Sequence, residues 1–263
     1  MADQRFSVAT FNANSLRVRL EQVLQWLDST GVDVLCVQET KVQDADFPVR
    51  AITDAGYRVS FRGQKAHAGV AVLSREEIEQ VSYGLADAPE PDEARLIAFR
   101  FADIHIINTY VPQGRTIDSE HYQYKLEWFR RLRSYLEQRF TPTDAVLWVG
   151  DLNVAPEPID VHDPKALEDH VDFHIDARLA LEQVVQWGFT DLFRLHHPDE
   201  PEQYTYWDYR ARNPLENKIG WRIDHVMATA PLAARCERVW IDVEARRAER
   251  PSDHTFLVAE FRR

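Results

Sequence analysis

The spacing of apolar and polar residues predicts a chain of many short β-strands and a few helices. Apolar runs at 32–37 and 145–149 are too short for a stable helix and rich in β-forming residues, which is typical of buried strands. Further strands are predicted at 5–11, 57–61, 69–73, 95–101, 104–109, 221–228, 238–243 and 255–261. Apolar residues three and four apart predict a helix capped by Ser15 and closed before Gly31, and helices at 119–140 and 175–187.

The order of these elements favours one domain of the α/β class. Residues 85–93 are rich in Pro and acidic residues and predict a loop, and no shift in composition indicates a linker. Many strands interrupted by a few helices are typical of two packed sheets with helices covering their outer faces. We therefore expect a single domain over residues 1–263.

Composition narrows the class of protein. The chain has 263 residues, of which 44% are hydrophobic and 28% charged, as in ordinary globular proteins, and it has no apolar run long enough to span a bilayer. Cys36 and Cys236 lack metal-ligand spacing, so we expect inert thiols in a reducing, cytoplasmic compartment. The net charge of −12 argues mildly against nucleic-acid binding but does not exclude it, because binding needs only a local basic face.

Polar side chains follow the apolar run at 145–149. Gly150 ends that run, and Asp151 and Asn153 come next, separated by one apolar residue. Residues two apart in an extended chain point the same way, so both side chains can address one ligand. Taken alone, the segment is explained equally well by an Asx-type turn. Other apolar runs also end in polar residues, which favours a shared site.

Further chemistry-bearing side chains stand at or beside strand ends. Glu39 follows a buried run, where a carboxylate is costly unless it is paired or bound to metal, and Asp224 lies among apolar residues and needs a partner. Carboxylates with amide and imidazole neighbours form an oxygen-rich set, which suits Mg²⁺ or Mn²⁺ better than zinc. Each residue taken alone also has an ordinary structural explanation, as a turn, strand or paired residue. The set comprises Asn12, Glu39, Tyr110, Asp224, Asp253 and His254.

Six ordered motifs carry a family resemblance that spans nearly the whole chain. They are FNANSLR, QETK, NTYVPQG, GDLNVAP, WRIDHVM and PSDHTF. In this order they resemble the exonuclease III family of the endonuclease/exonuclease/phosphatase superfamily, which includes deoxyribonuclease I. The resemblance implies a four-layer α/β sandwich with two mostly antiparallel sheets. It also implies a monomeric enzyme that hydrolyses phosphodiesters in double-stranded DNA with Mg²⁺ or Mn²⁺, at abasic sites and at recessed or blocked 3′ ends.

The resemblance also implies a metal site. Glu39 matches the principal ligand of the family, with Asn14 and Asp253 near the same ion. Asn14 stands where some relatives carry Asp, which removes one carboxylate. Asp151 matches the residue that activates the water or, alternatively, binds a second ion. The implied set of metal ligands therefore also includes Asn12, Asp151 and Asn153. Whether the site holds one ion or two stays open.

The roles implied for the remaining groups concern the phosphate. Asn153 matches the group that stabilises the pentacovalent phosphate, and Asn12 matches the residue that holds the water-activating carboxylate. His254 contacts a phosphate oxygen and is oriented by Asp224. Tyr110 matches the phenol that touches the scissile phosphate.

The implied DNA contacts are an apolar pocket and a cationic rim. Tyr206, Trp221 and Ile223 match the pocket that accepts a flipped-out abasic sugar. The segment 157–175 departs from the better-known bacterial pattern. If a bulky side chain there, such as His162 or His170, projected across the pocket, it would shut abasic DNA out. We expect an open pocket and incision at abasic sites. The rim is predicted from Arg17, Arg62, Lys65, Arg115, Arg210, Arg212, Lys218 and Arg222, with Lys41 and Gln113 as further substrate contacts.

Two other functions stay open at this point. A phosphatase or phosphodiesterase of the same superfamily, acting on lipid or small phosphoesters, would need neither the cationic loops nor the apolar pocket. A catalytically dead DNA-binding relative would be expected to lack Asp151, Glu39 or His254, and all three are present.

Overall fold

The computed structural model describes residues 5–85 and 93–263, and within them it contains twelve strands and six α-helices. The helices are α1 Leu16–Thr30, α2 Val49–Asp54, α3 Glu120–Arg139, α4 Ile175–Val185, α5 Leu192–His196 and α6 Ala230–Ala233. The strands are β1 Arg5–Asn12, β2 Val34–Gln38, β3 Arg58–Arg62, β4 Val70–Ser74, β5 Glu79–Tyr83, β6 Leu96–Phe101, β7 Ile104–Tyr110, β8 Val146–Asp151, β9 Phe189–Asp191, β10 Asp224–Thr229, β11 Cys236–Asp242 and β12 Phe256–Arg262.

The described strands form two six-stranded sheets. The first has the order β11-β12-β1-β2-β4-β3 and the second the order β5-β6-β7-β8-β10-β9. Pairing is antiparallel except between β1 and β2 and between β7 and β8, which are parallel. The prediction of two mostly antiparallel sheets is confirmed.

Three layers of apolar side chains hold the sandwich together. The sheets pack face to face around residues such as Val8, Ile106 and Val149, all fully buried. The outer face of the first sheet packs on α1, and the outer face of the second sheet packs on α3 and α4. Burial of apolar surface on both faces of each sheet stabilises the four-layer α/β sandwich that the motifs implied.

Most predicted elements are confirmed with small shifts at their ends, and three differences have physical causes. Strands β5 and β9 were missed, because β5 is largely solvent-exposed and β9 has three residues. Ser15 precedes α1, but its side chain makes no capping hydrogen bond. Its backbone N–H instead donates to the carbonyl oxygen of Glu39, with Ser15 at φ +93°. The loop predicted at 85–93 lies mostly outside the described residues, at 86–92.

The topology places four strand ends at one edge of the sandwich. In the parallel pairs Asn12 lies beside Gln38, and Tyr110 lies beside Asp151. Gly150 makes the second pairing tight, because it has φ +140° and a Cβ there would collide with the backbone oxygen of a strand β7 residue. Within the described ranges, no helix is long and apolar enough to cross a membrane.

Candidate active site

A buried carboxylate–imidazole–carboxylate group lies at this edge. Asp224, at the start of β10, pairs in register with Asp151, at the end of β8. His254 Nδ1 lies 2.7 Å from Asp224 Oδ2, and His254 Nε2 lies 3.8 Å from Asp151 Oδ2. All three side chains are at least 95% buried. The imidazole is therefore fixed between two carboxylates, which explains how Asp224 is tolerated among apolar neighbours.

Asn12 joins this group to Glu39 from the other sheet. Its side-chain Nδ2 donates to Asp151 Oδ2 and to Glu39 Oε1, both at 2.8 Å. Its Oδ1 accepts from the backbone N–H of Asn14 at 2.9 Å. The amide is thus fully used in holding two carboxylates at a set separation, across the gap between the sheets.

The turn after β8 aims Asn153 at the same space. Asn153 has φ +50°, and its backbone N–H donates to Asp151 Oδ1 at 2.9 Å. Its side-chain Nδ2 donates to the carbonyl oxygen of Val111 at 2.8 Å. Tyr110 lies beside it at the end of β7, with the guanidinium of Arg95 4.7 Å from the centre of its ring.

A second cluster gathers oxygen atoms around a cation. Lys41 Nζ lies 2.7 Å from Glu39 Oε2 and donates to Asn14 Oδ1 at 2.5 Å, while Asn14 Nδ2 donates to Asp253 Oδ1 at 3.0 Å. Glu39, Asn14 and Lys41 all have positive φ, which turns these side chains inward. Carboxylate and amide oxygens that converge on a positive charge are the donor set that Mg²⁺ or Mn²⁺ takes.

Among the described residues, one acid–histidine cluster has the spacing of a shared metal site, and it consists of Asp151, Asp224 and His254. Only Asp151 of these belongs to the predicted metal set. In the structure Asp253 reaches Glu39 only through Asn14 and Lys41, which keeps the two carboxylates apart. His254 already takes one oxygen of Asp224, Oδ2, while Oδ1 is buried without a hydrogen-bond partner. We interpret this cluster as one for proton and charge control.

Burial and neighbouring charges shift the pKa values of these groups. Burial raises the pKa of Asp151 well above its usual range, and the nearby carboxylates of Asp224 and Glu39 add to the rise. Burial alone would lower the pKa of His254, but Asp224 and Asp151 outweigh it and raise the pKa to about 10. Burial would raise the pKa of Glu39, yet Lys41 and Asn12 overcome it and leave that pKa lowered. The site therefore holds a carboxylate able to accept a proton beside a cationic imidazole.

An apolar wall borders the same cleft, which has a volume of about 320 Å³. Tyr206, Trp221 and Ile223 line it together with the buried carboxylates and the imidazole. The ring of His170 packs on Trp221 with 4.6 Å between ring centres and also lines the cleft. His162 contacts the same indole edge-on at 6.0 Å and lines a different cavity. Of the two histidines named, His170 therefore lies inside the cleft and His162 outside it, and the open pocket stays a prediction.

The predicted rim is only partly assembled. Arg210 and Gln113 line the cleft, and Arg210 pairs with Asp208. Arg222 is wrong as a DNA contact, because its side chain is fully buried against Asp160. The lining of the cleft does not include Lys41, Arg62, Lys65 or Arg115. Lys41 instead lies in the oxygen cluster, where it pairs with Glu39. Lys218 pairs with Glu202.

Sequence reasoning missed two residues of the cleft and one beneath it. Asp172 and Asp208 line the cleft. Asp208 lies in YTYWDYR, a segment that also carries the family resemblance but to which no acidic role was assigned, whereas Asp172 lies in the departing segment 157–175. Lys125 is fully buried under the loops of the site. A signal for it existed, since Lys125 stands three residues after Tyr122 and four before Phe129, on the inward stripe of α3.

Comparison with known proteins agrees with this geometry. Residues 9–254 match the model of the Endonuclease/Exonuclease/phosphatase family. The chain belongs to this family. The family match spans every motif of the cleft, from the segment before Asn12 to His254.

Relatives within this family include characterised DNA enzymes. Exodeoxyribonuclease III from Haemophilus influenzae is 31% identical over 96% of this chain and 98% of its own length. A solved AP endonuclease from Archaeoglobus fulgidus is 50% identical, has a TM-score of 0.95 and covers 97% of this chain and 99% of its own. A 3′ phosphatase from Neisseria, solved with a product DNA hairpin, is 34% identical, has a TM-score of 0.93, and covers 97% of this chain and 99% of its own. The resemblance to exonuclease III is confirmed.

Proposed function

We propose that this chain is a metal-dependent DNA-repair nuclease that hydrolyses phosphoesters at abasic sites and at recessed or blocked 3′ ends of double-stranded DNA. The names of its relatives, an exodeoxyribonuclease III, an AP endonuclease and a 3′ phosphatase, support all three activities. The observation that carries the proposal is the cleft itself, where Asp151 and His254 stand beside the apolar wall of Tyr206, Trp221 and Ile223. Three properties stay predictions: that the chain forms a single domain, that it is a monomer, and that it acts in the cytoplasm.

The chemistry follows from the charges of the site. Asp151, with a raised pKa, accepts the proton of the attacking water. The cationic His254 and the Asn153 side chain stabilise the negative charge that develops on the phosphate oxygens, and Tyr110 positions the phosphate. Asp224 keeps the imidazole in one orientation and charged.

The oxygen cluster fits a divalent cation. Glu39, Asn14 and Asp253 would hold it, and it would supply further charge neutralisation at the phosphate. Asn12 is better suited to positioning than to ligation, since its oxygen accepts from a backbone N–H and its nitrogen donates to two carboxylates. The identity of the ion as Mg²⁺ or Mn²⁺ is part of the proposal.

A panel of substrates tests the proposal and its alternative. The purified chain is assayed with Mg²⁺ on duplexes that carry a 3′-phosphate nick, a recessed 3′ end or a central abasic site, and on a small aryl phosphate and an inositol phosphate. We expect hydrolysis of the DNA substrates only. Asp151→Asn, purified in parallel, controls for contaminating nucleases. Turnover of the small phosphoesters with intact DNA would support the phosphatase alternative and end this proposal.

The position of His170 favours 3′-end processing over abasic incision. Its ring packs on Trp221 and lines the same cleft, so it takes up part of the space beside the indole that a flipped sugar would enter. A duplex end reaches the phosphate without inserting a sugar beside the indole. We therefore expect faster release of a 3′ phosphate than incision at a central abasic site.

Two histidine variants test this selection. His170→Ala should raise the ratio of abasic incision to 3′-phosphate release by about tenfold, the scale on which a pocket discriminates by one small group. His162→Ala is the matched control, because it removes the other histidine that contacts Trp221 without lining the cleft. Equal ratios in the two variants would show that the ring of His170 does not select the substrate.

A further inference from the structure

A lysine is buried beneath the active site. Lys125, in the middle of α3, has no exposed surface. Its Nζ donates to four oxygens, namely the carbonyls of Gln113 at 3.1 Å, Asn153 at 2.6 Å and Val171 at 2.8 Å, and Asp172 Oδ1 at 3.0 Å. An ammonium group has three N–H donors, so four acceptors satisfy it fully. A buried charge of this kind is tolerated only because every contact is polar.

The four oxygens come from three separate loops, and each loop contributes a side chain to the cleft. Gln113 follows β7, Asn153 follows β8, and Asp172 lies in the segment before α4. Two more bonds close the group: Gln113 Nε2 donates to Asp172 Oδ2 at 3.3 Å, and Ala155 N–H donates to the carbonyl oxygen of Asp172 at 2.7 Å. The ammonium of Lys125 is the point where these loops meet.

We propose that Lys125 is a positioning residue, whose charged ammonium sets the mutual placement of the three loops and thereby the aim of Asn153 at the phosphate. The shortest of its bonds is to the carbonyl of Asn153 itself. Asn153 has φ +50°, a conformation that a non-glycine residue keeps only when its surroundings enforce it. The bond from Lys125 on one side and the contact with Asp151 on the other provide that constraint.

The charge is the essential feature of this role. A methionine at the same position fills similar volume but removes the donor to three carbonyl groups and to Asp172 Oδ1, and leaves the carboxylate with the bond from Gln113 to its other oxygen. We expect the loops to separate so that these oxygens reach water. An arginine keeps the cation and its donors. Displacement of Asn153 by about 1 Å is expected to slow the chemical step by up to about a hundredfold.

The experiment uses single-turnover kinetics on the proposed 3′-phosphate nick with Mg²⁺ and enzyme in excess, and so rests on the proposed function. A smaller folded fraction lowers the amplitude of such a reaction, whereas a displaced catalytic group lowers its rate constant. Lys125→Met should lower the rate constant by about 10- to 100-fold at full amplitude. Lys125→Arg should recover most of the rate. Arg133→Met is the matched control, because it removes a cation of the same helix that donates to the carbonyl of Gln183, away from the cleft.

Amide hydrogen exchange gives a readout that needs no activity. Lys125→Met should exchange faster at 112–116, 153–156 and 170–174, while β8 keeps its protection; Arg133→Met should leave these loops unchanged. The inference would be overturned if Lys125→Met had an unchanged rate constant and unchanged protection of the three loops. It would also be overturned if Lys125→Arg had a rate constant as low as that of Lys125→Met. If the methionine variant does not fold, Asp172→Asn takes its place and should show the same loop exchange. An inactive wild-type chain would refute the proposed function, while the exchange data would still decide the role of Lys125.

Discussion

The pairing of Asp224 with His254 leads to a prediction on pH dependence. Asp224 is fully buried, and its Oδ2 lies 2.7 Å from His254 Nδ1. Its backbone N–H donates to Thr205 Oγ1, so the backbone keeps its place when the side chain changes. Asp224→Asn keeps the shape of the side chain and removes its charge. The imidazole then keeps only Asp151, at 3.8 Å, as a carboxylate partner.

The size of the effect follows from the lost interaction. A hydrogen bond to a charged group is worth about 1.5–3 kcal/mol. At about 1.4 kcal/mol per pKa unit, this loss lowers the pKa of the imidazole by about 1–2 units from its value of about 10. The cationic form is the one that stabilises the phosphate. A lowered pKa therefore moves the alkaline loss of activity to lower pH, because the charge disappears sooner as pH rises.

The assay is kcat for 3′-phosphate release between about pH 6.5 and about pH 9.5 with saturating Mg²⁺. We expect the alkaline limb of Asp224→Asn to lie about 1–2 units below that of the wild type, with kcat near pH 7 close to the wild-type value, because the imidazole is still cationic there. Asp103→Asn makes the same chemical change at an exposed ion pair with Arg235, and it should alter neither the position of the alkaline limb nor kcat near pH 7. An unshifted alkaline limb in Asp224→Asn would refute the electrostatic role assigned to Asp224.

Three further predictions concern the metal, the DNA and the stability of the fold. Glu39→Ala should lose most activity and regain part of it at raised Mg²⁺; full activity at low Mg²⁺ would exclude Glu39 as a ligand. Binding of duplex DNA by Asp151→Asn should weaken steeply with salt, in a filter or fluorescence titration, and a flat salt dependence would argue against a cationic rim. Burial would raise the pKa values of Asp160 and Asp191, but the guanidinium of Arg222 outweighs it and keeps both below their usual range. The stability that these two ion pairs contribute is therefore present at neutral pH and lost as pH falls below about 4. Urea unfolding at about pH 7 and about pH 3 checks this, and a variant Asp191→Asn with the same pH dependence as the wild type would contradict it.

The parts of the site that lie at strand ends could be predicted from sequence. Period-two geometry fixes which side chains leave a strand in the same direction, and Glu39 and Asp151 stand where a buried carboxylate needs a partner. The same rule, applied more strictly, would have excluded Arg222 from the DNA surface. It lies between Trp221 and Ile223 in an extended segment, and these two neighbours line the cleft while the arginine points away from it.

The stripe of α3 indicated an inward position for Lys125, but the oxygens that accept its hydrogen bonds could not be predicted, because they come from distant segments. Leu126 in α3 is only partly buried, whereas its polar neighbour Lys125 and Trp128 are fully enclosed. A lysine is expected to reach solvent, and only the loops that supply its four acceptors make burial tolerable. Those loops lie 12 to 47 residues away in the sequence.

The two buried cations explain how the segment 157–175 can shape substrate choice without disturbing the catalytic groups. Asp160, near its start, accepts from Arg222 and is fully buried, while Asp172, near its end, accepts from Lys125. Asp160 does not line the cleft, whereas Asp172 lines it beside His170, which is packed on the indole that borders the pocket. The ends are fixed by charge, and His170 adds to the second anchor only one long bond, which its Nδ1 accepts from the backbone N–H of Asp172 at 3.3 Å. We therefore expect a change of this side chain to alter the pocket more than the turn of the catalytic asparagine. Selection and catalysis are thus separated within one cleft, which is why the histidine variants are expected to change the ratio of substrates and the lysine variants the rate of the chemical step.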